Sequence, residues 1–132
     1  MVRVYQQRIA ADPNDGKARG QLGKALFILG QIEDAVPHLQ LATRLDATND
    51  EPHYLLGVVS RMKNDFVPAK ALLEAALRLN PDNFKAHGNL GLLLLEQGDL
   101  IPAETHLREA LRLNPDDAIA RKALADLKRL GR

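Results

Sequence analysis

Cysteine is absent from the chain, so no disulfide framework, thiolate metal site or cysteine nucleophile can be built from it. Serine occurs once, at Ser60, without the flanking glycines of a nucleophile elbow. No GxGxxG run, phosphate-binding loop or HExxH pair occurs. Aromatic residues are only 4% of the chain, and β-branched residues are sparse beside Leu and Ala. That bias favours helix, because Leu and Ala lose little on entering one while Val, Ile and Thr lose χ1 freedom. A surplus of one charge is missing too, with 18 Lys and Arg against 17 Asp and Glu. No long-range field should steer the chain to nucleic acid or an anionic membrane. The longest apolar run, Ala25–Leu29, is far short of a membrane span, so no membrane insertion is expected. Met1 to Arg8 holds no apolar core of signal-peptide length, which points to a cytoplasmic chain unless a targeting segment lies outside these residues.

What is present is a soluble, globular balance of 45% hydrophobic and 27% charged residues in 132, enough for one domain. The chain is organised by a repeat. Glu74–Asp82, reading EAALRLNPD, recurs as REALRLNPD at Arg108–Asp116, an offset of 34 residues. Residues 50–83 laid over 84–117 share 14 identities in 34 pairs without a gap, and residues 16–49 align at the same offset.

The repeated positions carry a helical pattern. Leu22, Leu56 and Leu90 are equivalent, each followed by a glycine, and Leu26, Ser60 and Leu94 lie four residues further along the same stripe. Glycine inside a helix costs roughly 1 kcal/mol relative to Ala. Gly23, Gly57 and Gly91 therefore predict a crowded contact where a second helix comes close. That helix offers Ala35, Ala69 and Ala103, then Leu39, Leu73 and Leu107, then Ala42, Ala76 and Ala110, spaced four and three apart. Gly30, Asn64 and Gly98 suit a left-handed end between the two helices. Pro81 and Pro115 follow the end of the second helix, and Pro68 and Pro102 fit its first turn. Pro37 lies deeper and predicts a local kink or a late helix start.

These residues resemble the tetratricopeptide repeat, a 34-residue helix–turn–helix with a Trp-x2-Leu-Gly-x2-Tyr opening and later Ala, Phe, Ala and Pro positions. The resemblance covers essentially the whole chain. It implies an all-α superhelix of three full helical hairpins, with a leading half-hairpin and a C-terminal capping helix. Residues 16–49, 50–83 and 84–117 are the expected repeats, 1–15 the second helix of a partial repeat, and 118–132 the cap. Arg19, His53 and His87 replace the opening aromatic of the family, and Ala47 stands where the other repeats have Pro81 and Pro115. Starting half-way through a hairpin points to a fragment of a longer protein, or to a half-hairpin that pairs with a second copy.

The resemblance implies a protein or peptide partner, no cofactor and no enzymatic activity. Members of the family commonly hold a peptide or partner helix in the concave groove lined by first helices. The candidate groove residues here are Lys24, Phe27, Ile28, Tyr54, Val58, Arg61, Met62, Lys85, Asn89, Leu92 and Leu95. Their apolar members are expected to form an exposed strip with a basic edge from Lys24, Arg61 and Lys85. The carboxylate clamp of chaperone-binding members maps onto Gly20, Lys24, Leu55, Lys85 and Asn89, where Gly20 and Leu55 remove two partners. The alternatives are a self-assembling scaffold and a substrate-recruiting fragment of a larger enzyme. His53 and His87, on successive first helices, are the pair that would begin a metal site, but too few further ligands accompany them for zinc, and no metal is expected.

Overall fold

Four short loops with the same polar chemistry decide where helices stop and start. Asp12, Asp46, Asn80 and Asn114 end one kind of helix, and Asp15, Asn49, Asn83 and Asp117 precede the other. The side chains of Asp12, Asn80 and Asn114 accept hydrogen bonds from the backbone N–H two residues on, at 3.1, 3.1 and 3.2 Å. Those of Asp15, Asn49 and Asn83 accept from Ala18, Glu51 and Ala86 N–H groups, at 3.0, 3.1 and 3.0 Å. Each N-cap satisfies a donor that the first helical turn would otherwise leave orphaned.

The computed structural model describes residues 1–131, which form eight α-helices and no strand. They are α1 (Val2–Ala11), α2 (Gly16–Ile28), α3 (Ile32–Leu45), α4 (Asp50–Met62), α5 (Phe66–Leu79), α6 (Phe84–Glu96), α7 (Leu100–Leu113) and α8 (Ala118–Leu130). α2 with α3, α4 with α5, and α6 with α7 are hairpins, and α1 packs on α2 while α8 packs on α6 and α7. The first helices α2, α4, α6 and α8 also touch in sequence, which stacks the hairpins into an all-α superhelix. Among the described residues, no helix is long and apolar enough to cross a membrane.

Each hairpin turns at one residue with positive φ: Gly30 at 82°, Asn64 at 61° and Gly98 at 80°. The N–H groups of Gln31, Asp65 and Asp99 then reach back to the carbonyls of Leu26, Ser60 and Leu94, at 2.8, 2.9 and 2.9 Å. This closure leaves only three residues between the helices and brings them into close contact. Leu39, Leu73 and Leu107 have no exposed surface, nor do the alanines at 35, 69, 103, 42, 76 and 110. A Cβ placed on Gly23, Gly57 or Gly91 would stand 2.6, 2.8 or 2.6 Å from the Cγ of the facing leucine. The glycines are therefore the clearance through which each leucine passes.

Two features depart from or extend the expectations. α3 begins at Ile32, the same register as Phe66 and Leu100 in α5 and α7, so the late start expected at Pro37 does not occur. Pro37 and Glu33 are both exposed, which leaves the unpaired Glu33 carbonyl to water and lets the helix run on. A column of small residues that the Leu-Gly pattern does not announce, Ala18, Pro52, Ala86 and Ala120, is buried at the start of every first helix. On α8 the register of the three glycines holds Ala125, exposed and flanked by Lys122 and Lys128, so a second helix as close as α3, α5 or α7 would meet its Cβ.

The glycine contact yields opposite predictions for two alanine substitutions. Gly91→Ala should destabilise by about 1–2 kcal/mol, because overpacking against Leu107 and the Ala103 carbonyl outweighs the gain in helix propensity. Gly20→Ala meets its nearest atoms at an ordinary 3.6 Å and should be neutral or stabilising by up to about 1 kcal/mol. Urea titrations of the two variants beside the parent chain measure the difference; equal behaviour would contradict the packing assignment.

Candidate binding face

The first helices present one face built from α2, α4, α6 and α8, and the expected groove residues lie on it unevenly. Val58, Asn89 and Leu95 are buried, at 8, 2 and 9% exposure. Phe27, Tyr54 and Leu92 are half-buried and pack against the two apolar cores of the stack. Only Ile28 and Met62, at 71 and 55%, stand open among the apolar candidates, so the expected continuous apolar strip does not form. The cause is crowding: an interior first helix such as α4 touches its own second helix, the preceding one, and a first helix on each side. Most of its circumference is then core.

The basic edge is altered in the same way. Lys24 on α2 pairs with Glu51 on α4 at 3.0 Å, and Arg61 on α4 with Glu96 on α6 at 3.6 Å. Both pairs keep contact with water, so they neutralise the edge and set which first helices lie side by side more than they stabilise. Lys85 stays exposed, and its backbone carbonyl accepts from the Asn89 side-chain amide at 2.8 Å. Asn89 is thus turned inward and does not offer its amide to a ligand. Burial, with Asp117 and Glu51 adding negative charge nearby, holds the Tyr54 phenol above its ordinary pKa. Burial likewise pushes up the carboxyl of Asp117, whose Oδ2 lies against Gly88.

The open concavity of this face is at its N-terminal end. A groove of about 470 Å³ lies between α1 and α2, lined by Met1, Val2 and Tyr5 from α1 and by Ala25, Ile28 and Leu29 from α2 and its end. Gln21, Lys24 and Glu51 complete it with polar atoms. Of the expected residues only Lys24 and Ile28 line it. The signal for the others is the repeat register, in which Tyr5 takes the place of Leu39.

The histidines sort differently from the expected His53–His87 pairing. His87 on α6 meets His106 on α7, Nδ1 to Nδ1 at 3.1 Å, with ring centres 5.3 Å apart. His87 Nε2 donates to the Pro81 carbonyl at 2.8 Å, which leaves its Nδ1 to accept from His106. At the same place in the first hairpin, Arg19 donates to the Pro13 carbonyl through Nε and meets His38 Nδ1, both at 3.1 Å. The second hairpin has His53 and Leu72 at the equivalent positions, and His53 Nδ1 is buried without a partner. Among the described residues, no group of three or more histidines and carboxylates could hold a metal ion.

Comparison with known proteins places the whole arrangement. A sequence profile described as Tetratricopeptide repeat matches residues 61–127, and another, described as TPR repeat, matches residues 23–60. The structure of MamA superposes with a TM-score of 0.83 at 26% identity, over 97% of this chain and 75% of that one. YrrB, described as a TPR protein with an unusual peptide-binding site, gives 0.82 at 24% identity, over 93% of this chain and 63% of its own. The first TPR of Spaghetti (RPAP3), solved bound to the HSP90 peptide SRMEEVD, gives 0.80 at 18% identity, over 90 and 94%. The last two are alike in fold alone. No curated protein sequence matches the chain.

The histidines make stability pH-dependent with a definite sign. Burial lowers the pKa of His38, His53 and His106 below 6.5, aided by Arg19, Arg78 and His87 respectively and opposed by Asp34, Asp50 and Glu74. Each imidazole is then kept neutral in the fold, while the unfolded chain takes up protons below its ordinary value. The associated stability is fully present above about pH 6.5 and is lost as pH falls from there through the lowered values of the folded imidazoles. Melting temperatures between pH 8 and pH 5 should drop accordingly. His106→Leu, which copies the Leu72 of the second hairpin, should flatten the profile; an unchanged slope would remove His106 from the account.

Proposed function

The chain belongs to the tetratricopeptide repeat family, and from that premise we propose that it is a protein-interaction module whose first-helix face takes an apolar anchor of a peptide or partner helix. The observation that carries this reading is the groove between α1 and α2, about 470 Å³ and walled mostly by aliphatic side chains. It occupies the position that a first helix takes in front of every other second helix, as α2 does for α3. A helix with apolar residues four apart would set them on Tyr5, Ala25 and Ile28, with Lys24 and Glu51 at the polar margin.

The groove favours apolar anchoring over capture of a chain-terminal carboxylate. Gly20 and Leu55 stand at two clamp positions and are buried, and Asn89 at another is turned to its own helix. Nor does the face favour catalysis, since Ser60 is half-buried in α4 and its backbone carbonyl closes the hairpin turn. The peptide sites named for YrrB and the RPAP3 domain support the class of ligand and leave its sequence open.

Panning of a displayed library of amphipathic helical peptides against the purified chain tests this reading. Ala25→Glu combined with Ile28→Glu should weaken any captured helix by at least about tenfold, a change of about 1.4 kcal/mol. Helical content by circular dichroism should stay the same, because both positions touch water. Undiminished capture by the folded variant would place the site elsewhere.

A further inference from the structure

Of the eleven large apolar side chains exposed among the described residues, eight lie toward one edge of the stack, where first helices end and second helices begin. Ile28, Leu29, Met62, Val67, Ile101 and Leu130 follow one another along it at 55 to 84% exposure. The opposite edge shows only Leu45, Leu79 and Ile119, each at 39 or 40%. Val67 and Ile101 are one repeat apart on α5 and α7, at 82 and 84%, so neither contributes much to the core it stands on. A row of this kind marks an interaction surface.

Its charges indicate what covers it. The α2–α3 turn carries Glu33 and Asp34, both exposed. The α4–α5 turn carries Lys63 and Lys70 against a single acid, Asp65. The α6–α7 turn carries Asp99 and Glu96, the latter already held by Arg61. The end of α8 carries Lys128 and Arg129, with Asp126 one turn back paired to Arg129. The sign therefore alternates from turn to turn: negative, positive, negative, positive. A two-fold axis between the second and third turns lays the first turn on the end of α8 and the second turn on the third. Opposite charges then meet at each step, and each step also brings apolar residues together, Ile28 and Leu29 with Leu130, Met62 and Val67 with Ile101.

We propose that the turn edge is an isologous interface at which a second copy of this chain packs antiparallel to the first. Two-fold pairing is the commonest way for one surface to satisfy itself, and alternating charge fixes its register while the aliphatic row supplies the burial. The edge goes beyond the proposed peptide groove. Ile28 and Leu29 border both surfaces, whereas Val67 and Ile101 lie outside the groove, so substitutions at Val67 and Ile101 test self-association while leaving peptide capture untouched.

Sedimentation velocity of the chain from about 1 µM to about 1 mM should show monomer converting to dimer. Val67→Glu with Ile101→Glu should raise the dissociation constant by at least about tenfold, with unchanged circular dichroism. Glu33→Lys with Asp34→Lys should weaken the dimer, and adding Lys128→Glu with Arg129→Glu in the same chain should restore it. A chain that stays monomeric throughout, a dimer indifferent to Val67 and Ile101, or a charge reversal without rescue would each overturn the proposal.

Discussion

Three leucine side chains lying against bare glycine backbone hold this molecule in its shape. At Gly23, Gly57 and Gly91 the absence of a side chain lets Leu39, Leu73 and Leu107 enter the space where a Cβ would stand. Burying a leucine completely is worth about 2–3 kcal/mol, whereas each glycine gives up about 1 kcal/mol of helix propensity. The exchange is favourable only if the two helices approach this closely. That approach in turn demands a turn of three residues, and hence a position with positive φ that Gly30, Asn64 and Gly98 supply. Fully buried alanines one turn either side of each leucine recur at the contact in every repeat.

Stacking such hairpins has a consequence for binding. An interior first helix is enclosed on several sides, so side chains that would be free on an isolated helix become the cement between repeats. Val58 and Leu95 are lost to the core in this way, and Tyr54 spans both apolar clusters. Among the described residues, aliphatic surface stays open in the groove between α1 and α2 and along the turn edge. Both surfaces are aliphatic with opposed charges nearby, in keeping with a chain whose overall charge is close to zero.

The register that the family fills with a large aromatic is filled here by polar groups that do related work. Arg19 and His87 each reach the carbonyl of a loop proline and a histidine of the facing second helix. They tie first helix, second helix and preceding loop together with hydrogen bonds in place of an aromatic wedge. Such a joint is specific in direction and sensitive to protonation, where a wedge would be neither. The second hairpin has Leu72 at the register of His38 and His106, and the Nδ1 of His53 is buried without a partner.

Periodicity alone determined the helices, their pairing, the crowded glycines and the left-handed turns, because each depends on neighbours within one 34-residue unit and that unit is written three times. Local chemistry also carried the caps at Asp15, Asn49 and Asn83, whose spacing is the same period. Tertiary structure decided everything that depends on what lies across from a residue. It turned Asn89 inward and drew Lys24 and Arg61 into ion pairs. It set His87 against His106 on its own hairpin, away from His53, and let α3 run through Pro37. It also left a groove between α1 and α2 and an aliphatic row along one edge. A repeat specifies the face each residue takes within its unit; only the stack specifies whether another unit covers that face.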